Sequence, residues 1–187
     1  MTDRRPPRNG PRKQPRPLDP NRLEELAVAY VGRFATTRAK LGQYLRRKLK
    51  EKGWEAPSPP EIEPLVERLA RLGYVDDAAF ALSKARSLGQ RGYGERRVDL
   101  ALRQAGVDEQ DGAPAKAIAT TGATAAAIRY AQRRRLGPFA HEPADPKRRA
   151  RALSAMIRAG HSFDLARRLV DLPPDPAIDI DALIREF

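Results

Sequence analysis

The chain has 187 residues, with 36 Lys and Arg against 24 Asp and Glu, a formal net charge of +12, and no cysteine. That length admits one to three small domains, and the missing cysteines exclude disulfides, thiolate metal sites and cysteine nucleophiles. The basic balance points to a polyanion as partner, and neither a membrane-length apolar run nor a signal-peptide core is present, so a cytoplasmic protein without membrane contact is expected.

Residues 1–20 carry Arg4, Arg5, Arg8, Arg12, Lys13 and Arg16 among six prolines, with almost nothing apolar to bury. A disordered basic tail is expected there. Asp19-Pro20 then supplies an N-cap and a proline at the first helical position, and Leu23, Leu26, Ala27, Tyr30 and Val31 follow at helical spacing. Thr36 or Thr37 caps a second helix with Leu41, Tyr44, Leu45 and Leu49 on its apolar side and Arg46, Arg47, Lys48, Lys50 and Lys52 outside. A third helix begins near Glu61, because Pro64 cannot sit deep in a helix, and turns Ile62, Leu65, Val66, Leu69 and Leu72 inward before Gly73. Trp54 reads as a core plug between units.

A second unit opens at Asp76 and Asp77, which sit where helix N-caps are needed, with Phe80, Ala81, Ala85 and Leu88 beyond them. Arg91-Gly92-Tyr93-Gly94 lacks the Gly-Lys-Ser/Thr ending of a phosphate loop and reads as a tight interhelical turn before a helix with Val98, Ala101 and Leu102 inside. Gly112 and Pro114 predict that the third helix here is frayed or shortened. A third unit starts near Ala123, runs through Ile128, Tyr130 and Ala131 into Arg133-Arg134-Arg135, and crosses a proline-stiffened loop to Asp145-Pro146. The next helix turns Lys147, Arg148, Arg149 and Arg151 outward and Leu153, Met156 and Ile157 inward. Ser162 caps the last helix of the unit, with Phe163, Ala166, Leu169 and Val170 inside, and Pro173 and Pro174 stop it. The acidic, amphipathic end either docks on the body or hangs free.

Gly53, Gly106 and Gly160, spaced 53 and 54 residues apart, each close a helical stretch with an apolar residue four positions earlier: Leu49, Leu102 and Met156. The register predicts an all-α tandem array of three three-helix repeats, each glycine in the left-handed C′ conformation. The expected divisions are a tail at 1–20, repeats at 21–73, 74–121 and 122–171, and an acidic tail at 172–187.

With that plan in view, the chain resembles the RecX family of regulators of the RecA recombinase. The matching stretches are 23–53, Leu69 to Asp77 with Phe80, Arg91 to Gly94 with Arg97, Leu102 and Gly106, Arg135 to Phe139, and Met156 to Phe163 with Ala166 and Arg167. The resemblance implies a curved, elongated array that lies in the groove of the RecA filament on single-stranded DNA. It further implies that filament growth is limited, and with it recombinase, ATPase and co-protease activity in recombination, DNA repair and the SOS response. A monomer without cofactor or metal is expected, its binding residues being Arg46, Arg47, Lys48, Arg91, Tyr93, Arg96, Arg97, Arg103, Arg133, Arg134, Arg135, Lys147, Arg148 and Arg149. Equivalent second helices project to a common side in such an array, which would align three of these basic clusters in one stripe.

An enzyme is not expected. His141 and His161, the two histidines present, lie 20 residues apart without a helical i, i+4 partner, and read as solvent-exposed or capping side chains. A freestanding DNA-binding protein of helix-turn-helix type is the alternative, but its recognition helix would need Asn or Gln beside Arg to read base edges, and amides are few here.

Overall fold

A computed structural model describes residues 16–187. Among the described residues the protein is all-helical: α1 (Pro20–Val31), α2 (Arg38–Lys52), α3 (Ile62–Arg71), α4 (Asp77–Gln90), α5 (Glu95–Ala105), α6 (Glu109–Thr121), α7 (Ala123–Arg134), α8 (Pro146–Arg158), α9 (Phe163–Asp171) and α10 (Ile180–Glu186). A 3-10 turn at Gly137–Phe139 links α7 to α8. Most of the expected tail lies outside the described residues, but its last part is built into the fold. Leu18 is buried, forms an isolated parallel bridge with Trp54, and donates its backbone N–H to the Gly53 carbonyl at 3.0 Å.

Short polar side chains start most of these helices. Asp19, Thr37, Asp76, Asp108, Asp145 and Ser162 each accept a hydrogen bond from the backbone N–H three residues on, satisfying one of the donors a helix N-terminus leaves open. Pro64 is the third residue of α3, where its missing N–H has no intrahelical acceptor to lose. Gly53, Gly73, Gly106 and Gly160 all have positive φ, and Gly106 is left-handed as expected, but Gly53, with ψ 176°, is not in the left-handed helical well.

Buried side chains gather in three clusters. The first joins Leu23, Leu41, Leu45 and Leu69 with Leu18 and Val75; the second joins Ala81, Ala85, Leu88, Val98, Leu102 and Ala115; the third joins Ile128, Tyr130, Met156, Ala166 and Leu169 with Leu183 of α10. The acidic end therefore docks, and Arg168 closes it by lying 4.2 Å from the Phe187 ring centroid.

Four expectations change. Far from frayed, α6 runs unbroken for 13 residues with Pro114 inside it. Its packing on α4, the most extensive helix contact of the fold, overrides the poor propensity, and the carbonyl of Gln110 that Pro114 deprives of a partner lies on an exposed residue, open to water. Trp54 plugs no joint between units; it packs on the first cluster and donates its indole N–H to the Ser58 carbonyl at 2.6 Å. Leu72 and Phe163, expected inside, are 64% and 47% exposed, because each sits at a helix end where the stripe has turned away from its core.

The second helices of the three clusters, α2, α5 and α8, meet end to end. At the first joint the C-terminus of α5 abuts the N-terminus of α2: the Thr37 hydroxyl donates to the Ala105 carbonyl at 2.5 Å, and Gly106 lies so close to Ala39 that a Cβ would collide with it. At the second joint the C-terminus of α8 abuts the N-terminus of α5. Gly94 and Arg96 donate their N–H groups to the carbonyls of Ala159 and Gly160 at 3.0 and 3.2 Å. Open N–H groups of one helix and open carbonyls of the next thus satisfy each other with their dipoles aligned. Gly53, at the far end of α2, has nothing within 4 Å of its Cβ direction, since no helix follows there.

Candidate nucleic-acid interface

Chemistry at the second joint starts from a local necessity. Gly94 is the N-cap of α5 and offers no side chain, because a Cβ would stand 2.6 Å from the backbone nitrogen of His161 and closer still to the Gly160 carbonyl. Gly92, at φ +73, is equally confined, with Tyr130 N at 2.8 Å from its Cβ position. The Arg91-Gly92-Tyr93-Gly94 turn is therefore a seat for α7 and α8 as well as a turn. Tyr93 packs on both the second and the third cluster, in the seam between them.

His161 sits under this seat, 2% exposed, which corrects the expectation of an exposed or capping side chain. Its Nε2 lies 3.1 Å from the Gly92 carbonyl. A carbonyl only accepts, so Nε2 carries the proton, and the buried Nδ1 has no partner. Burial pushes the imidazole below its ordinary pKa, against the smaller opposing effect of the Gly92 carbonyl. Asp77 also departs from a simple cap. The α4 cap is Asp76, whereas the Asp77 carboxylate crosses the first joint to accept from the Arg38 N–H at 2.9 Å and to face the Arg38 guanidinium at 3.6 Å. Burial raises its pKa although Arg38 opposes the shift.

Beside the second joint opens a groove of about 540 Å³ lined by Tyr93, Arg97, Tyr130, Arg133, Arg134, Leu136, Arg148, Arg151, Arg158, Ala152, Ala155 and Ala159. It has six arginines and no carboxylate in its wall. Arg91 and Arg97 lie 5.6 and 5.8 Å from the Tyr93 ring centroid, and Arg133 and Arg134 lie 5.7 and 5.9 Å from that of Tyr130. Arg133 also donates to the Arg91 carbonyl, which ties α7 to the glycine turn. Among the described residues, Arg97, Arg133, Arg134, Arg151 and Arg158 form no ion pair. Planar guanidiniums without internal counterions, spread over aromatic faces, suit phosphate oxygens and unstacked bases.

Of the residues singled out in the sequence, the fold brings Tyr93, Arg97, Arg133, Arg134 and Arg148 into this groove, with Arg91 at its rim. Others are engaged elsewhere. Arg46 pairs with Glu63, Arg47 and Lys48 with Glu51, Arg103 with Asp99, and Arg149 with Asp171. Hydrogen bonds from Lys48 and Arg46 hold the Glu51 and Glu63 carboxyls below their ordinary pKa values. Arg148 lines the groove but pairs with Glu142, Arg135 turns to His141 at 2.9 Å, and Arg96 and Lys147 are exposed outside the groove wall. Arg151 has a place in the groove that its reading as an outward-facing residue did not assign, and Arg158 was not singled out at all. The signal was the spacing of Arg148, Arg151, Ala155 and Arg158, one face of α8.

Among the described residues, no helix is long and apolar enough to cross a membrane. Residues 76–113 match the family model for the second three-helix domain of RecX. The chain is 35% identical over 170 residues to regulatory protein RecX of Myxococcus xanthus, covering 87% of this chain and 91% of that one. It is 34% identical over 151 residues to the Thermobifida fusca protein of the same name, covering 80% and 77%. In fold it is similar to the crystal structure of RecX from Lactobacillus salivarius, with a TM-score of 0.57 at 17% identity over 89% of this chain and 94% of that one. With its identity to the Myxococcus relative sustained over nearly the full length of both chains, the protein belongs to the RecX family.

Proposed function

We propose that the protein is a regulator that binds the RecA recombinase filament on single-stranded DNA and restrains its recombinase, ATPase and co-protease activities without chemistry of its own. Membership of a family whose relatives are named regulatory proteins supports the reading. The observation that carries it is the groove at the second joint, where arginines without internal counterions face outward from three helices held in fixed register. A nucleoprotein filament is a helical polyanion, and such a surface is attracted to it in a salt-dependent way. The test is the DNA-dependent ATPase of the cognate RecA, measured with increasing protein at fixed filament. Dose-dependent loss of ATP hydrolysis, with none by the protein alone, is expected. Unchanged hydrolysis, or an intrinsic ATPase or nuclease abolished by a point substitution in this chain, overturns the reading.

A further inference from the structure

The geometry points to the groove between α5, α7 and α8 as a binding site for single-stranded nucleic acid in its own right, with Arg134, Arg151 and Arg158 on the phosphates and Tyr93 as the platform for one base. The inference deepens the filament reading by assigning this groove to the DNA strand rather than to an acidic protein surface, and it rests on that reading for its biological setting alone.

Three observations separate this site from the other basic surfaces of the molecule. First, its charge is largely uncompensated, Arg148 being the one of its six arginines that forms an ion pair among the described residues. Arg46, Arg47 and Lys48 of α2 stand beside Glu51 and Glu63, and the neighbouring cavity of about 650 Å³, which contains Arg135, Arg148 and Arg149, is also lined by Glu142 and Asp171. The groove wall holds no carboxylate. Second, Arg134, Arg151 and Arg158 donate no side-chain hydrogen bond and form no ion pair among the described residues, while Arg133 is tied down by the Arg91 carbonyl. Arginines kept out of internal pairing retain their planar donor forks for bidentate contact with phosphate oxygens. Third, the groove contains an aromatic ring that remains half-buried rather than sealed: Tyr93, flanked by Arg91 and Arg97.

That third feature decides between occupants. An acidic protein loop has carboxylates for the arginines but would need an aromatic side chain besides them, placed in register, to stack on Tyr93. A duplex keeps its base faces internal, so it meets only the rim. A single strand presents phosphates at the edge and a free π-face toward the floor, and a basic track with an aromatic platform is the recurrent solution for binding one without reading its sequence. Tyr130, the second ring, is buried and hydrogen-bonded through its hydroxyl to the Ala155 carbonyl at 3.3 Å, which leaves it as support rather than as a platform.

The test uses the full chain, fluorescein-labelled oligo-dT and, as an acidic-protein surrogate, labelled poly-glutamate, with binding followed by anisotropy from low to moderate salt. The variant Arg134→Gln/Arg151→Gln/Arg158→Gln removes exposed groups that form no side-chain hydrogen bond or ion pair among the described residues, and its circular dichroism should match that of the parent. Its affinity for oligo-dT is expected to fall by at least about tenfold, and the slope of log K against log salt to shrink by about 2, at roughly 0.7 for each single-strand phosphate that is no longer neutralised. On the unsubstituted protein, ultraviolet cross-linking of bromodeoxyuridine-containing oligonucleotide should attach at Tyr93, a readout that no folding defect can mimic. Unchanged oligo-dT binding by the triple variant, cross-linking that avoids the groove, or loss of poly-glutamate binding with oligo-dT binding intact would each overturn the assignment. Failure of the parent protein to restrain RecA would sink the filament reading and leave the groove assignment standing on its own data.

Discussion

Gly160→Ala is the sharpest probe of the end-to-end joints, and Gly53→Ala is its control. Both glycines have positive φ, +98° and +83°, so both alanine variants carry the local backbone penalty. That penalty is about 1–3 kcal/mol, partly offset by about 0.4–1 kcal/mol because alanine has fewer unfolded conformations to lose. Gly53, at ψ 176°, carries this backbone cost but has open space around it, so its variant should lose only about 1–2 kcal/mol. At Gly160 the new methyl would stand 2.5 Å from Arg97 N, 2.7 Å from Arg97 Cβ and 3.0 Å from the Gly94 carbonyl, so backbone must move. Movement breaks the hydrogen bonds from Gly94 to Ala159 and from Arg96 to Gly160, at about 1 kcal/mol each, and disturbs the His161 seat. A total of about 3–5 kcal/mol is expected, or about 10 °C in Tm at this chain length. The assay is thermal and urea unfolding followed in parallel by far-UV circular dichroism and by fluorescence of Trp54, the sole tryptophan. Because each unit of an array is stabilised by itself and its neighbours, the helical signal should fall early in Gly160→Ala while the Trp54 transition moves little. Equal losses in the two variants would refute the joint as described.

Other outcomes follow from single contacts. Thr37→Val keeps the shape but removes both the α2 cap and the hydroxyl donated to Ala105, and should cost about 1–3 kcal/mol in urea unfolding. The depressed pKa of His161 means that the unfolded chain takes up a proton which the folded one resists. Stability is therefore full above the ordinary histidine value of about 6.5 and falls as pH drops below it toward the folded pKa, a slope that His161→Gln should flatten in urea midpoints measured from pH 7.5 to 5. Neutralising Arg46, Arg47 and Lys48 to glutamine should weaken filament binding less than the groove triple does, since Glu51 and Glu63 already offset those cations; a larger effect in titrations at matched salt would place the main contact on α2.

Local signals in the sequence locate nearly every helix, because caps and period-3.6 stripes act within one or two turns: Asp19, Thr37, Asp145 and Ser162 each start a helix at the residue their chemistry indicates. What local signals miss is whatever another unit decides. Pro114 and Gly112 argue against α6 on propensity, yet Gly112 is buried with its Cβ direction facing Val107 and Leu102, and tertiary packing wins. His161 looks like a capping side chain until α5 and α7 close over it. In the groove the tyrosine and the α7 arginines are legible as basic residues near an aromatic, but their separation from Arg46, Arg47 and Lys48 depends on counterions such as Glu63, 17 residues away in sequence.

The two joints solve one problem with different chemistry, and the difference explains why the cationic groove opens at the second. Each must satisfy the open N–H groups of a helix start pressed against another helix's end. At the first joint side chains do it: Thr37 bridges to Ala105, Asp77 takes the Arg38 N–H, and the Arg38 guanidinium is shared among Asp77, Asp111 and Glu67. The charge of Arg38 is consumed internally there. At the second joint the backbone does it, glycine against glycine, because Gly94 and Gly160 approach too closely for any side chain to intervene. No carboxylate is recruited at the joint itself, so among the described residues Arg97, Arg133, Arg134, Arg151 and Arg158, which α5, α7 and α8 carry to the same place, form no ion pair, while Arg148 pairs with Glu142. The glycine that closes α8 thereby sets both the register of the array and the electrostatics of its groove.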